Sequence, residues 1–227
     1  MAMDAHDWSL RFQRDGYVVQ CRLLSEDDCK GLLAQVLSDW RVPERDLYVH
    51  KKKFRIHATS ELNELTRCAV RKTYQRFSRL IHSFLLDDDP WLVELGSICV
   101  FPGAKQQHLH RDHADPQRKL LTCFLNLMDV DEECGPLSVW PGYQLGHTDN
   151  PRPFTSDRQP AGVKMILPAG SCVLLDGSLP HCGLANTSCH SIRPVFYFSL
   201  GDPSIQGPTY GTQPVRLSAV LNNRIVC

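Results

Sequence analysis

The period of the apolar spacing changes near Pro90, and this break constrains the fold more than any other feature of the chain. Before it, apolar residues recur at helical intervals. Cys29, Leu32, Leu33, Val36, Leu37 and Trp40 share one helical stripe behind a capping Ser25. A longer stripe starts near Ser60 with Leu62, Leu65, Ala69, Val70, Tyr74, Phe77, Ile81 and Leu85, and Asp87-Asp88-Asp89-Pro90 stops it. After Pro90 the chain breaks into short runs of Val, Ile, Leu, Phe and Tyr separated by Gly, Pro, Asn and Asp. These predict strands at about 92–101, 120–128, 137–140, 163–167, 171–176 and 194–200, with one or two more near residues 50–55 or the C-terminus. Such an order implies a small antiparallel barrel or jelly roll packed on helices. No repeat or linker divides the 227 residues, so the expectation is one domain, with 1–90 as mainly helical support and 91–227 as the β-barrel core.

Charge excludes some functions. The 25 Lys and Arg balance 25 Asp and Glu, which removes the overall basic footprint of a dedicated nucleic-acid or membrane-surface binder. No apolar run reaches the roughly 20 residues of a membrane helix, and Met1–Arg14 lacks the apolar stretch of a secretory signal. The 10 cysteines are scattered without a CxxC pair, which suits reduced, buried thiols. The expected location is therefore the cytoplasm. No heptad or interface stripe fixes the oligomeric state.

The chemistry concentrates in Gln106-Gln107-His108-Leu109-His110-Arg111-Asp112-His113-Ala114-Asp115. On an extended chain alternate residues share a face, so His110 and Asp112 point together while Arg111 points away. Two ligands of one metal need that parity. A facial site of two histidines and one carboxylate requires one more ligand and leaves positions open for a co-substrate and dioxygen. His181 is the candidate, because it follows the apolar run 171–176 and the turn Asp176-Gly177-Ser178. Arg193 opens the strand Pro194-Val195-Phe196-Tyr197-Phe198. A buried arginine there is costly unless an anion meets it, and a dicarboxylate co-substrate would supply one.

His110-Arg111-Asp112, Glu133-Cys134-Gly135-Pro136-Leu137, Pro141-Gly142, Asp176-Gly177 to His181 and Arg193-Pro194-Val195 follow one another in an order that resembles the phytanoyl-CoA dioxygenase-like family of iron(II) and 2-oxoglutarate oxygenases. The opening Phe12-Gln13-Arg14-Asp15-Gly16-Tyr17-Val18-Val19 resembles it too. The resemblance implies a double-stranded β-helix (jelly-roll, cupin-like) fold. It implies Fe(II) on His110, Asp112 and His181, and the far carboxylate of 2-oxoglutarate on Arg193. Thr122, Asn126 and Gln107 stand where relatives place further co-substrate contacts. The implied reaction is hydroxylation of a small molecule by O2, supported in vitro by ascorbate; Asp112 argues against halogenation, since related halogenases replace that carboxylate with a small residue. Departures from the family pattern are Tyr143-Gln144 in place of Ser-His, a longer interval from His181 to Arg193, and Gly183 where a hydroxyl often stands.

Competing readings use the same residues. His113-Ala114-Asp115 and His147-Thr148-Asp149 repeat the HxD spacing, and zinc on His108 and His110 would need other ligands in the absence of paired cysteines. Lys51, Lys52, Lys53 and Arg55 read as a solvated loop or as a rim receiving an anionic substrate. A metal-binding barrel without turnover and an oxygenase of protein side chains are the alternative functions. No nucleophile elbow, phosphate loop or dinucleotide fingerprint is present.

Overall fold

The computed structural model describes residues 5–40, 50–52, 54–115, 117–144, 160–205 and 213–222. Helix α1 (Ala5–Asp15) leads into β1 (Tyr17–Gln20) through Gly16, whose φ of 77° ends the helix in a turn. Helix α2 (Glu26–Asp39) opens with a capping box in which the Ser25 side chain and the Asp28 side chain each accept the other's backbone N–H. The hairpin of β2 (His50–Lys52) and β3 (Arg55–Thr59) precedes helix α3 (Glu64–Leu85). That helix starts at Asn63 rather than Ser60, because Asn63 and Thr66 form their own capping box.

The β region comprises β4 (Trp91–Val100), β5 (Leu120–Asn126), β6 (Leu137–Val139), β7 (Val163–Lys164), β8 (Cys172–Asp176), β9 (His181–Gly183), β10 (Arg193–Gly201) and β11 (Val215–Arg216), followed by helix α4 (Leu217–Leu221). The large antiparallel sheet runs β1-β8-β5-β10-β4-β3-β2, with β11 on β4, and the small one runs β7-β6-β9. The jelly-roll expectation is met, as two facing sheets that stay open rather than closing into a ring. The first 90 residues are not only support: β1 pairs with β8 and β3 with β4, so both halves of the chain build one sheet.

Register sorts the side chains of the large sheet. Leu121, Cys123 and Leu125 on β5, with Phe196, Phe198 and Leu200 on β10, pack against Leu32, Val36, Val70, Phe77 and Ile81 of the helices. The alternate residues face the small sheet. Leu137, Val139 and Met165 meet Val173, Leu175 and Leu179 between the layers. On this inner face Thr122 lies opposite Ser199 and Ser199 opposite Glu94, while Arg193 lies opposite Val100 and Val100 opposite Arg55. No described helix is long and apolar enough to cross a membrane, and the described cysteines are all free.

Candidate metal centre

The segment carrying the histidine cluster docks by its backbone along β9 rather than forming a strand of its own. Gln107 N–H donates to Gly183 O at 2.9 Å, and His113 N–H donates to Gly177 O at 2.9 Å. Between them His110 and His181 exchange backbone bonds of 3.1 and 2.9 Å. This pairing sets two distant residues side by side, with ring centroids 4.5 Å apart.

Each ring is then fixed by its own main chain. His110 Nδ1 lies 2.8 Å from His108 O, and His181 Nδ1 lies 3.0 Å from Leu179 O. A carbonyl oxygen only accepts, so Nδ1 is the donor in both rings, and in the neutral ring Nε2 carries the lone pair. The two Nε2 atoms stand 4.0 and 3.4 Å from the same oxygen, Asp112 Oδ1. The three donors all fall within 4.8 Å of one another. Ligands at about 2.1 Å and right angles around an ion lie about 3 Å apart, so a small contraction closes this set on a divalent cation.

The carboxylate is held from behind. Thr122 Oγ1 donates to Asp112 Oδ2 at 3.2 Å and lies 3.2 Å from Ser199 Oγ, which donates to Glu94 Oε2 at 3.0 Å. Tyr197 OH donates to the other Glu94 oxygen at 3.1 Å. Burial pushes the Asp112 pKa up, but His181, then His110 and the Thr122 hydroxyl, carry it below the usual carboxylate range. Burial lowers the His181 pKa, and Asp112 more than offsets this, so it ends raised. Burial and the neighbouring His181 leave that of His110 lowered. An ionised carboxylate beside two preset imidazoles is the environment a metal cation takes over from a proton.

The sequence matches the phytanoyl-CoA dioxygenase (PhyH) family over residues 12–195. The chain belongs to that family. A curated relative, Dioxygenase trt7 of Aspergillus terreus, is 27% identical over 195 residues, covering 77% of this PhyH chain and 65% of the relative, so this chain spans about two thirds of that protein's length. Among solved structures, the epimerase SnoN in complex with Fe3+, alpha ketoglutarate and nogalamycin RO superposes with a TM-score of 0.68 at 20% identity, over 93% of both chains. The non-haem alpha ketoglutarate dependent carbocyclase SnoK from nogalamycin biosynthesis gives 0.67 at 17% identity, over 94% of this chain and 98% of its own.

Within this PhyH chain the residues singled out by sequence fall into distinct places. Among the described residues His110, Asp112 and His181 come together. Gln107 lies beside them, its Oε1 accepting from Gly183 N–H at 2.8 Å. Arg193 is buried, 7% exposed, on the inner face. Thr122 turns its hydroxyl to Asp112, and Asn126 is buried four residues along the same strand face, opposite Val195. Arg111 points away, donating to Ser178 O. In the rival string Asp115 is engaged by Arg118 at 2.8 Å, whereas His147 and Asp149 lie outside the described residues. Lys53 also lies outside them. Gln144, at a position where the family pattern differs, donates to Gln13 O at 2.9 Å and so ties the Pro-Gly turn to α1.

Sequence reading passed over Glu94, Ser199 and the interior position of Arg55. Glu94 carried a signal, being the one acid inside the apolar run Trp91–Val100. Arg55 carried none, because it looked like the end of a basic loop.

Proposed function

We propose that this chain is a non-haem Fe(II)- and 2-oxoglutarate-dependent dioxygenase that hydroxylates a C–H bond of a small molecule, in a single domain spanning 1–227 and located in the cytoplasm. The observation that carries the reading is the convergence of two Nε2 lone pairs and Asp112 Oδ1, with both Nδ1 atoms already committed to carbonyls. That donor set fits Fe(II): two imidazoles and a carboxylate on one side leave the opposite side open. The orphaned Nε of buried Arg193 fits the far carboxylate of 2-oxoglutarate. The SnoN complex, which holds Fe3+ and alpha ketoglutarate, and the dioxygenase trt7 support the assignment.

Bound at this triad, Fe(II) with 2-oxoglutarate supplies the oxidising chemistry, consuming O2 and releasing succinate and carbon dioxide as the substrate is oxidised. The chain's own residues do the rest. His110, Asp112 and His181 hold the ion, and Thr122 fixes the carboxylate orientation. Arg193 anchors the co-substrate, and Gln107 and Asn126 are its proposed further contacts. Phe124, whose ring centroid is 6.3 Å from that of His181, joins Leu175 and Leu179 in keeping bulk water from the inner face.

The test uses anaerobically purified protein given Fe(II), ascorbate, 2-oxoglutarate and air, with His181→Ala as control. Succinate that forms in the wild type and vanishes in the variant supports the reading. Absence of succinate together with absence of 2-oxoglutarate binding to the iron-loaded protein overturns it in favour of a non-catalytic barrel. Because SnoN and SnoK are an epimerase and a carbocyclase, the product of a substrate screen is read by mass: a gain of one oxygen identifies hydroxylation, and an unchanged mass or a loss of two hydrogens rejects it.

A further inference from the structure

Arg111 stands between His110 and Asp112 and turns away from the triad, yet it is not given over to solvent. It is half-buried. Its guanidinium reaches the turn that delivers the third ligand, where Nε donates to Ser178 O at 2.8 Å, and it extends to the Pro-Gly turn, where Nη2 donates to Tyr143 O at 3.2 Å.

The backbone explains what an arginine does there. His110 and His181 exchange both main-chain bonds, and a regular ladder would continue residue for residue; instead His113 N–H donates to Gly177 O. Three steps separate His110 from His113 and four separate Gly177 from His181, so the His181 side carries one residue more and bulges out of the pairing. The carbonyls of the bulge must find partners outside the ladder. Pro180 O accepts from Trp140 N–H at 3.0 Å, and Leu179 O accepts from His181 Nδ1 at 3.0 Å. Ser178 O is left to a side chain, and Arg111 supplies it. The N–H groups of the turn are committed as well, Gly177 to Leu120 O, Ser178 to Asp176 Oδ1 and Leu179 to Asp176 O.

The His181 ring is therefore aimed by Leu179 O, a carbonyl carried on the bulge, with the Arg111 bond to one side and the Trp140 bond to the other. His110 has no such dependence, since its ring is set by His108 O on its own segment. The other arm of Arg111 ends on a turn that stops α1, where Gly142 N–H donates to Asp15 O and Gln144 Nε2 to Gln13 O. One side chain thus fastens the bulge to a rigid neighbour.

We propose that Arg111 is a positioning residue for the metal centre: by holding Ser178 O and Tyr143 O it keeps the bulge in the form that presents Leu179 O to His181, and so aims His181 Nε2 at the ion. The proposal rests on the reading of His110, Asp112 and His181 as metal ligands, and it is independent of the co-substrate and substrate that the ion meets.

The test uses Zn(II), which is diamagnetic and supports no turnover. Its affinity is measured by competition titration, and the ring nitrogens of the zinc-loaded protein are read by long-range 1H–15N correlation spectra. Arg111→Met is expected to weaken Zn(II) about tenfold and to displace the His181 Nδ1 resonance, while the His110 Nδ1 resonance keeps its wild-type position. His110 is the internal control, because a general loosening of the fold moves both rings. An unchanged zinc affinity or an unchanged His181 resonance overturns the proposal, as does an equal displacement of both rings, which is the mark of a merely structural role. Should the methionine variant not fold, Arg111→Lys takes its place: its single ammonium cannot span both carbonyls, so the same selective change is expected at smaller size, and wild-type affinity and spectra overturn the proposal. A wild-type protein that retains no Zn(II), or retains it equally well after Asp112→Ala, fails at the metal-centre reading itself, an outcome distinct from failure of the positioning role.

Discussion

The two faces of the large sheet are made by the same strands and obey different rules. On the helix side, β5 and β10 present Leu121, Cys123, Leu125, Phe196, Phe198 and Leu200 to the helices, with no carboxylate, amine or guanidinium among them. On the other side the same strands present Thr122, Asn126, Ser199 and Arg193, all buried. Apolar burial is additive and tolerant, so the helix side stabilises the fold through area. Buried polar groups cost free energy unless each finds a partner, so the inner face is specified atom by atom. The contrast separates stability from chemistry within single strands. A substitution on one face should change one property and spare the other.

The largest effect expected is that of Asp112→Ala. Removing the only carboxylate of the triad should bring succinate formation to background and abolish tight metal retention, with little change in thermal midpoint; a variant that keeps wild-type turnover rejects the triad. On the opposite face, Phe196→Ala opens a cavity at a fully buried site. It should cost about 3–5 kcal/mol and lower the midpoint by roughly 10 °C, while 2-oxoglutarate affinity per folded molecule stays at the wild-type value. Loss of binding without loss of stability would erase the distinction between the faces.

Thr122→Val tests the inner face more finely. The shape is kept and the bond to Asp112 is removed, so metal affinity should fall about 10- to 100-fold in a competition titration, with a much smaller change in midpoint. The smallest effect is a pH dependence of co-substrate affinity. Burial lowers both Arg55 and Arg193 to about 10. The charged form of Arg193, which holds the anion in the proposed function, therefore prevails below that pH, and affinity should be level from pH 7 to 9 and decline above about 10. The stability contribution has the opposite sign: burying these charges costs stability below the folded pKa, and the cost is relieved as pH rises from there towards the ordinary arginine range. Affinity that stays level through pH 10.5 would mean that Arg193 does not hold the ligand.

The same division explains what could be read from the chain. The helix side was legible because periodicity reports area: Cys29, Leu32, Val36, Ala69, Val70, Phe77 and Ile81 are buried as their spacing predicts. His110, Asp112, His181 and Arg193 were legible as polar residues in or next to apolar runs, a conflict that local propensity does not resolve. Thr122 was singled out as a co-substrate contact, and only tertiary structure turns its hydroxyl to Asp112. Arg55 was read with its lysine neighbours because a charge run looks solvated; its burial depends on β3 pairing with β4 across the whole of α3, a non-local fact. The short strands β1 and β9 were passed over for a similar reason, since three or four residues carry too little pattern to register.

The reciprocal backbone bonds between His110 and His181 also bear on when, in the life of the molecule, iron can be captured. The two rings meet only after β9 has found the segment that docks on it, a contact between distant parts of the chain and therefore among the later ones to form. In a nascent or half-folded polypeptide His181 lies far from His110 and Asp112, so the three-ligand set proposed for iron is incomplete. If iron is held by these three residues, the complete set forms only in the finished molecule, which keeps full ligation of a redox-active ion away from an unfolded chain rich in oxidisable thiols.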